Sequence, residues 1–272
     1  MLLAGDAPVG VVIRRGPSKS VCTLLWNRQR DTFRLGQWLR GRIYERRSDL
    51  SPDGRHMIYF AMNGRWHTAA RGAWTAISRA PWLKAIALFS KGDCWNGGGL
   101  FTAANSYWLN DGYGHVTMRD SSEVVRDMKF QPPALGNSEC LGVYYPRLIR
   151  DGWTFAEHTR KRSPSKSSGP DTIDTFEKPA THGWILRKFA HAGIDQPEGK
   201  GCYWDEHELF QPETGARIAL PDWEWADIDG KRLVWATGGL LKASRLNSRG
   251  LKHEVILADL TDMKFEAIAA PY

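Results

Sequence analysis

Apolar residues along this chain fall in short runs, each closed by Gly, Pro, Asp or Asn, and no run is long enough to cross a bilayer as a helix. In "DLSPDGRHMIYFA" (49–61) and "ADIDGKRLVWAT" (226–237) a polar turn gives way abruptly to β-branched and aromatic residues. Asp-Gly between such runs is a strong signal for a tight reversal, because both residues tolerate the positive φ that hairpin turns demand. Asp53-Gly54, Asp151-Gly152 and Asp229-Gly230 lie in comparable surroundings. At each of them the pattern predicts that a strand ends, the chain reverses and a second strand begins.

Aligned on their turns, the first and third pairs set Met57, Ile58 and Tyr59 against Leu233, Val234 and Trp235. The stretches 23–41 and 255–272 each read as strand, polar turn and returning strand. Residues 83–111 and 201–220 also read as short strands divided by Gly-rich or Glu-Thr-Gly turns. Helical patterning is weak throughout, since no segment pairs sustained i, i+3, i+4, i+7 apolar spacing with plausible caps. An all-β fold is therefore expected. The Ser-, Pro- and Lys-rich stretch around 159–175 is expected to be a flexible extended loop.

Short sheets that cannot bury both faces alone must stack on one another, and radial stacking gives a β-propeller. The Ser-Pro-Asp-Gly turn of "DLSPDGRHMIYFA" resembles the inner-strand turn of WD40-like and TolB-like propeller blades. "ELFQPETGARIAL" (208–220) resembles the outer hairpin of such blades. The resemblance implies a single propeller domain over 1–272, with about five blades of about four antiparallel strands. The blades are marked by Asp53, the 97–99 glycines, Asp151, the 199–201 region and Asp229. It also implies protein or peptide partners. A Gly-His plus Trp-Asp signature does not recur in the chain, so the resemblance speaks to fold more than to activity.

Composition sharpens the picture in two ways. Thirteen Trp favour a fold that stacks large rings between layers. A net charge of +7 admits an acidic partner, with local clusters in "RGRIYERR" (40–47) and "RKRSPSK" (160–166). The four cysteines lack any C-x-x-C spacing and read as free thiols rather than a zinc or redox pair. "MLLAGDAPVG" has neither a basic n-region nor an apolar h-region, so a cytoplasmic location is expected, with no membrane partner.

Candidate chemistry is sparse. "GDCWNGGG" (92–99) lacks the Gly-Lys-Ser/Thr of a phosphate loop and reads as a strand connection. In "WDEHELF" (204–210) strand alternation puts Asp205 and His207 on one face and Glu206 and Glu208 on the other, too few neighbours for a metal or a catalytic set. No cofactor or metal is expected. If the three Asp-Gly turns are equivalent, Asp49, Arg147 and Trp225 share one level of a central funnel, and Ser48, Pro146 and Glu224 the level beside it. Asp49, Arg147, Glu224 and Trp225 are accordingly the candidate ligand-binding residues. They point first to a non-catalytic module holding a protein, peptide or polar ligand. A glycoside-binding or glycoside-hydrolysing propeller using Asp49, Glu224 and Asp227 is the second reading. A nucleic-acid-binding protein, using the Arg and aromatic residues of "RQRDTFRLGQWLRGRIYERR" (28–47), is the third.

Overall fold

The structure is a computed structural model that describes the chain except residues 17–18, 113, 134, 136–139, 162–170, 194–197 and 199. Its strands form five sheets, antiparallel apart from one short parallel pair. The chain divides into two compact units: Met1–Asp151 with Met263–Tyr272, and Gly152–Asp262.

In unit 1 the first sheet is a meander of β1 (Leu2–Leu3), β2 (Val9–Arg15), β3 (Ser20–Asn27) and β4 (Thr32–Arg40). Gly41 alone joins β4 to β5 (Arg42–Leu50), which opens the second sheet. A Cβ at Gly41 would lie 2.6 Å from the Met62 carbonyl oxygen, so the corner needs glycine. β6 (His56–Met62), β7 (Ala73–Arg79) and β8 (Ala85–Ser90) follow in order. The chain then builds β9 (Gly99–Ala103) and β10 (Ser106–Leu109) of a third sheet and returns to the second with β11 (Val116–Arg119), beside β8. β12 (Val125–Arg126) pairs parallel with β10. The apolar faces close over two clusters, one around Val11, Ile43, Met57 and Tyr59 and the other around Ile58, Ile77, Phe89 and Phe101.

Unit 2 holds two meanders. One is β13 (Thr154–Lys161), β14 (Asp171–Pro179), β15 (Ile185–Ala192), β16 (Tyr203–Gln211) and β17 (Ala216–Leu220). The other is β18 (Trp225–Asp229), β19 (Arg232–Thr237), β20 (Leu240–Asn247) and β21 (Gly250–Asp259). Trp153, Trp184, Trp223 and Trp235 are buried here, with Trp223 and Trp235 stacked at 4.4 Å. This is the large-ring packing that the Trp count predicts.

Two of the three Asp-Gly reversals form as expected. Asp53-Gly54 closes the β5–β6 connection, where Asp53 Oδ1 accepts from Ser51 Oγ (2.6 Å) and from the Arg55 N–H (3.1 Å). At Asp229-Gly230 the register runs Asp229 opposite Arg232, with Gly230 at φ 62°. The hairpins at 23–41 and 208–220 also form, as β3–β4 and β16–β17.

Three expectations are corrected. Asp151-Gly152 is preceded by an α-helix, α1 (Leu141–Arg150), so Arg147 lies on a helix and not on an inner strand. Buried Leu141, Tyr144, Tyr145 and Leu148 stand at i, i+3, i+4 and i+7, a helical stripe masked by two β-prone tyrosines and by Pro146 inside it. The returning strand expected at the end of 255–272 does not form. Met263–Tyr272 carries no strand and is fastened to unit 1 by side chains, with Gln37 Nε2 donating to the Ile268 carbonyl (2.8 Å) and Tyr272 Oη to that of Lys84 (2.6 Å). Finally, Thr159–Lys161 and Asp171–Thr175 of the expected loop are strand, while its middle, 162–170, lies outside the described residues. The 199–201 marker falls partly outside them as well.

Among the described residues, no helix is long and apolar enough to cross a membrane.

Candidate functional site: a basic groove in unit 1

The four sequence-predicted site residues separate by unit. Asp49 and Arg147 belong to unit 1, Glu224 and Trp225 to unit 2. Asp49, only 1% exposed, accepts from Arg150 Nη1 and Nη2 (2.6 and 2.8 Å) and from the Phe101 N–H (2.7 Å). Arg147 is buried too. β5 slips register between Tyr44 and Asp49, and a bulge of this kind leaves carbonyls without cross-strand donors. Arg147 Nη1 supplies them, donating to Glu45 O (2.9 Å) and to Ser48 O. Both Asp49 carboxylate oxygens and Arg147 Nη1 are thus engaged by the protein itself. Glu224 accepts from the Gly238 N–H at 3.1 Å, and Trp225 is half-buried at the start of β18.

A triad-like chain of hydrogen bonds also occurs in unit 1. His115 contacts Asp111 through Nδ1 (2.8 Å) and Thr75 Oγ1 through Nε2 (3.0 Å), and Thr75 Oγ1 accepts from the Gly98 N–H (2.8 Å). The order carboxylate, imidazole, hydroxyl matches a nucleophilic triad. Here, however, Thr75 is fully buried and its oxygen already serves an amide, so no substrate reaches it. The chain is a bolt. It pins the residue just before β11 to β7, fastening the strand that crosses back from the third sheet to the second. Burial drives the His115 pKa below its usual value, with the Asp111 contact opposing, so the ring is neutral near pH 7.

In unit 2, strand alternation in "WDEHELF" holds. Lys188 Nζ reaches His207 Nε2 (2.9 Å) and Asp205 (3.8 Å) on one face, while Glu206 meets His191 (3.1 Å) and Glu208 meets Arg187 (3.3 Å) on the other. His207 Nδ1 faces the Trp223 carbonyl at 3.0 Å, so its other nitrogen is the acceptor for Lys188. The group cross-links a sheet face and is enclosed, with Lys188 1% exposed.

Among the described residues, a groove of about 930 Å³ in unit 1 is open to solvent. It is built by Gly16 and Lys19 at the facing ends of β2 and β3, the Gly41 corner, the β6–β7 loop and, from a distant segment, Phe265. Of its fourteen lining residues five are cationic (Arg15, Lys19, Arg40, Arg42 and Arg65) and none is acidic. All five are exposed. Only Arg15 is ion-paired, with Glu45 at 2.6 Å, where the guanidinium overcomes burial and holds the carboxyl below its ordinary range. Among the described residues, Lys19, Arg40, Arg42 and Arg65 form no ion pair. The Arg42 guanidinium lies 4.7 Å from the Tyr44 ring and that of Arg40 4.8 Å from Phe265. These are cation–π contacts that orient a guanidinium without neutralising it.

Like charges gathered at one concave surface repel one another and raise the local potential, which favours a bound anion. Arg40 and Arg42 carried a signal in the sequence, inside the 28–47 run. Lys19, Arg65 and Phe265 carried none, because only the fold brings their segments together. No family model matches the chain, and no curated protein matches it.

Proposed function

We propose that this protein is a non-catalytic binding module whose five sheets are blades of a β-propeller and whose basic groove holds an anionic partner. The propeller reading is supported by the sheet count and by the way consecutive strands pair in chain order within nearly every sheet. The binding reading is carried by one observation: four exposed cations in one groove without an ion-pair partner among the described residues. An unpaired exposed cation contributes little to folding, whereas an anion neutralising several at once gains from all of them.

A protein or peptide partner fits this reading when it presents acidic groups to the groove. The glycosidase reading gains no support from Asp49, whose oxygens are engaged by Arg150 and the Phe101 amide. Retention on immobilised polyphosphate tests the proposal. The wild-type chain is expected to bind at low salt and elute as salt rises, and the Arg40→Gln/Arg42→Gln/Arg65→Gln variant to flow through. Equal retention of the two proteins would place the interaction elsewhere.

A further inference from the structure

Resting on the reading of the groove as an anion site, we infer that its partner is a single strand of nucleic acid, with phosphates along the guanidinium row and a base on Phe265. Three features of the lining beyond its charge carry this.

The first is the kind of cation. Three of the four unpaired groups, Arg40, Arg42 and Arg65, are arginines, whose planar forks match phosphate oxygens two at a time. Arg40 and Arg42 flank Gly41 on consecutive extended strands, and both line the groove. Two guanidiniums separated by a single residue suit successive phosphates of one strand better than an isolated phosphate.

The second is the aromatic component. Phe265 is 44% exposed, a large ring kept at the surface beside the cations. It is held there by Arg40 at 4.8 Å and by Trp38 at 5.9 Å. Exposed rings in a positively charged channel are the means by which single strands are gripped, since every base offers a π-face. An acidic peptide has no comparable use for the ring.

The third is Asn63. Its Oδ1 accepts from the Arg65 N–H at 2.9 Å, which fixes the amide orientation, and its Nδ2 has no partner among the described residues. It therefore presents donors to the groove, suited to a base carbonyl or a phosphate oxygen. The volume of about 930 Å³ is that of a small-ligand cleft, which holds a short single-stranded segment and not the body of a duplex.

Fluorescence anisotropy on the full chain tests this with four probes. They are labelled oligothymidylate of about ten nucleotides, a duplex of the same length, a poly-glutamate peptide of matched charge, and pyrophosphate as competitor. Oligothymidylate is expected to bind tightest, with log K falling linearly in log salt between about 50 and 200 mM. Arg40→Gln/Arg42→Gln is expected to weaken it at least tenfold and to flatten that slope. Phe265→Leu is expected to weaken oligothymidylate about tenfold, leaving the salt slope and pyrophosphate competition unchanged, and Phe265→Tyr to restore binding. Poly-glutamate or duplex binding as tight as the single strand, or indifference to Phe265→Leu, would overturn the nucleic-acid assignment while leaving an anion site in place. If none of the four probes binds, or if binding ignores Arg40→Gln/Arg42→Gln, the anion site itself falls.

Discussion

The two ends of strand β5 use arginine in opposite ways. At its start, Arg42 stands in solvent with a ring beneath it and no counter-ion among the described residues. Within the bulge, Arg46 and Arg47 are 6% and 2% exposed, and α1 adds buried Arg147 and the solvent-accessible Arg150 to the same neighbourhood. Three of these guanidiniums are anchored by the protein. Arg47 donates to Cys140 Sγ (3.1 Å) and to the Cys94 and Asn96 carbonyls (2.6 Å each), Arg147 to the bulge carbonyls, and Arg150 to Asp49. A buried charge is tolerated where partners compensate it, so Arg47, Arg147 and the Asp49 carboxylate that Arg150 holds are part of the architecture. Cations left exposed and unpaired on a groove do nothing comparable for folding.

The sharpest way to break this comparison is at Asp49. Asp49→Ala leaves the Phe101 N–H without its acceptor and the solvent-accessible Arg150 guanidinium without its counter-ion, and is expected to cost about 3 kcal/mol. Urea midpoints measure it. Asp49→Leu/Arg150→Met, which removes both charges, is expected to recover part of the loss. A single variant with an unchanged midpoint would mean that the inner arginines are as dispensable as the outer ones.

The hydroxyl bolt comes next. Thr75→Val keeps the shape of the residue but leaves the Gly98 N–H and the His115 ring without their partner, and about 2 kcal/mol of stability is expected to go. The bolt also gives a pH dependence of known sign. Because the His115 pKa is lowered on folding, the unfolded chain binds the proton more readily. The bolt's contribution is complete above about pH 6.5, the unperturbed value, and is lost as pH falls through the depressed one. The stability difference between wild type and His115→Gln is therefore expected to shrink as pH drops below 6.5, and a gap that widens instead would show a ring charged in the fold.

The same contrast explains what could be seen in the sequence. The turns at Asp53 and Asp229 were legible because Asp-Gly chemistry is local. The reversal at Asp151 was not, because Tyr144 and Tyr145 favour strands in isolation and only packing of α1 on β5 and β9 makes their helical spacing decisive. The end at 263–272 misled for a similar reason, its position being set by Gln37 and Tyr272 and not by a ladder. "RGRIYERR" announced charge, but nothing local says that Arg42 faces water while Arg46 and Arg47 turn inward across a bulge. The bolt joins Thr75 to a histidine 40 residues away, beyond the reach of any short motif.

The smallest expected effect on folding is the most telling for function. Replacing Arg40, Arg42 and Arg65 together by Gln removes three like charges that repel one another and breaks no ion pair of those residues. The Arg40–Phe265 and Arg42–Tyr44 contacts are lost, at about 0.5–1 kcal/mol each for exposed sites. Relief of repulsion works against that loss. The urea midpoint is therefore expected to lie within the range of ordinary surface substitutions, about 0.5 kcal/mol either way. A fall as large as that of Asp49→Ala would show that the groove cations, too, are held by the fold for its own sake, and the distinction between the two ends of β5 would collapse.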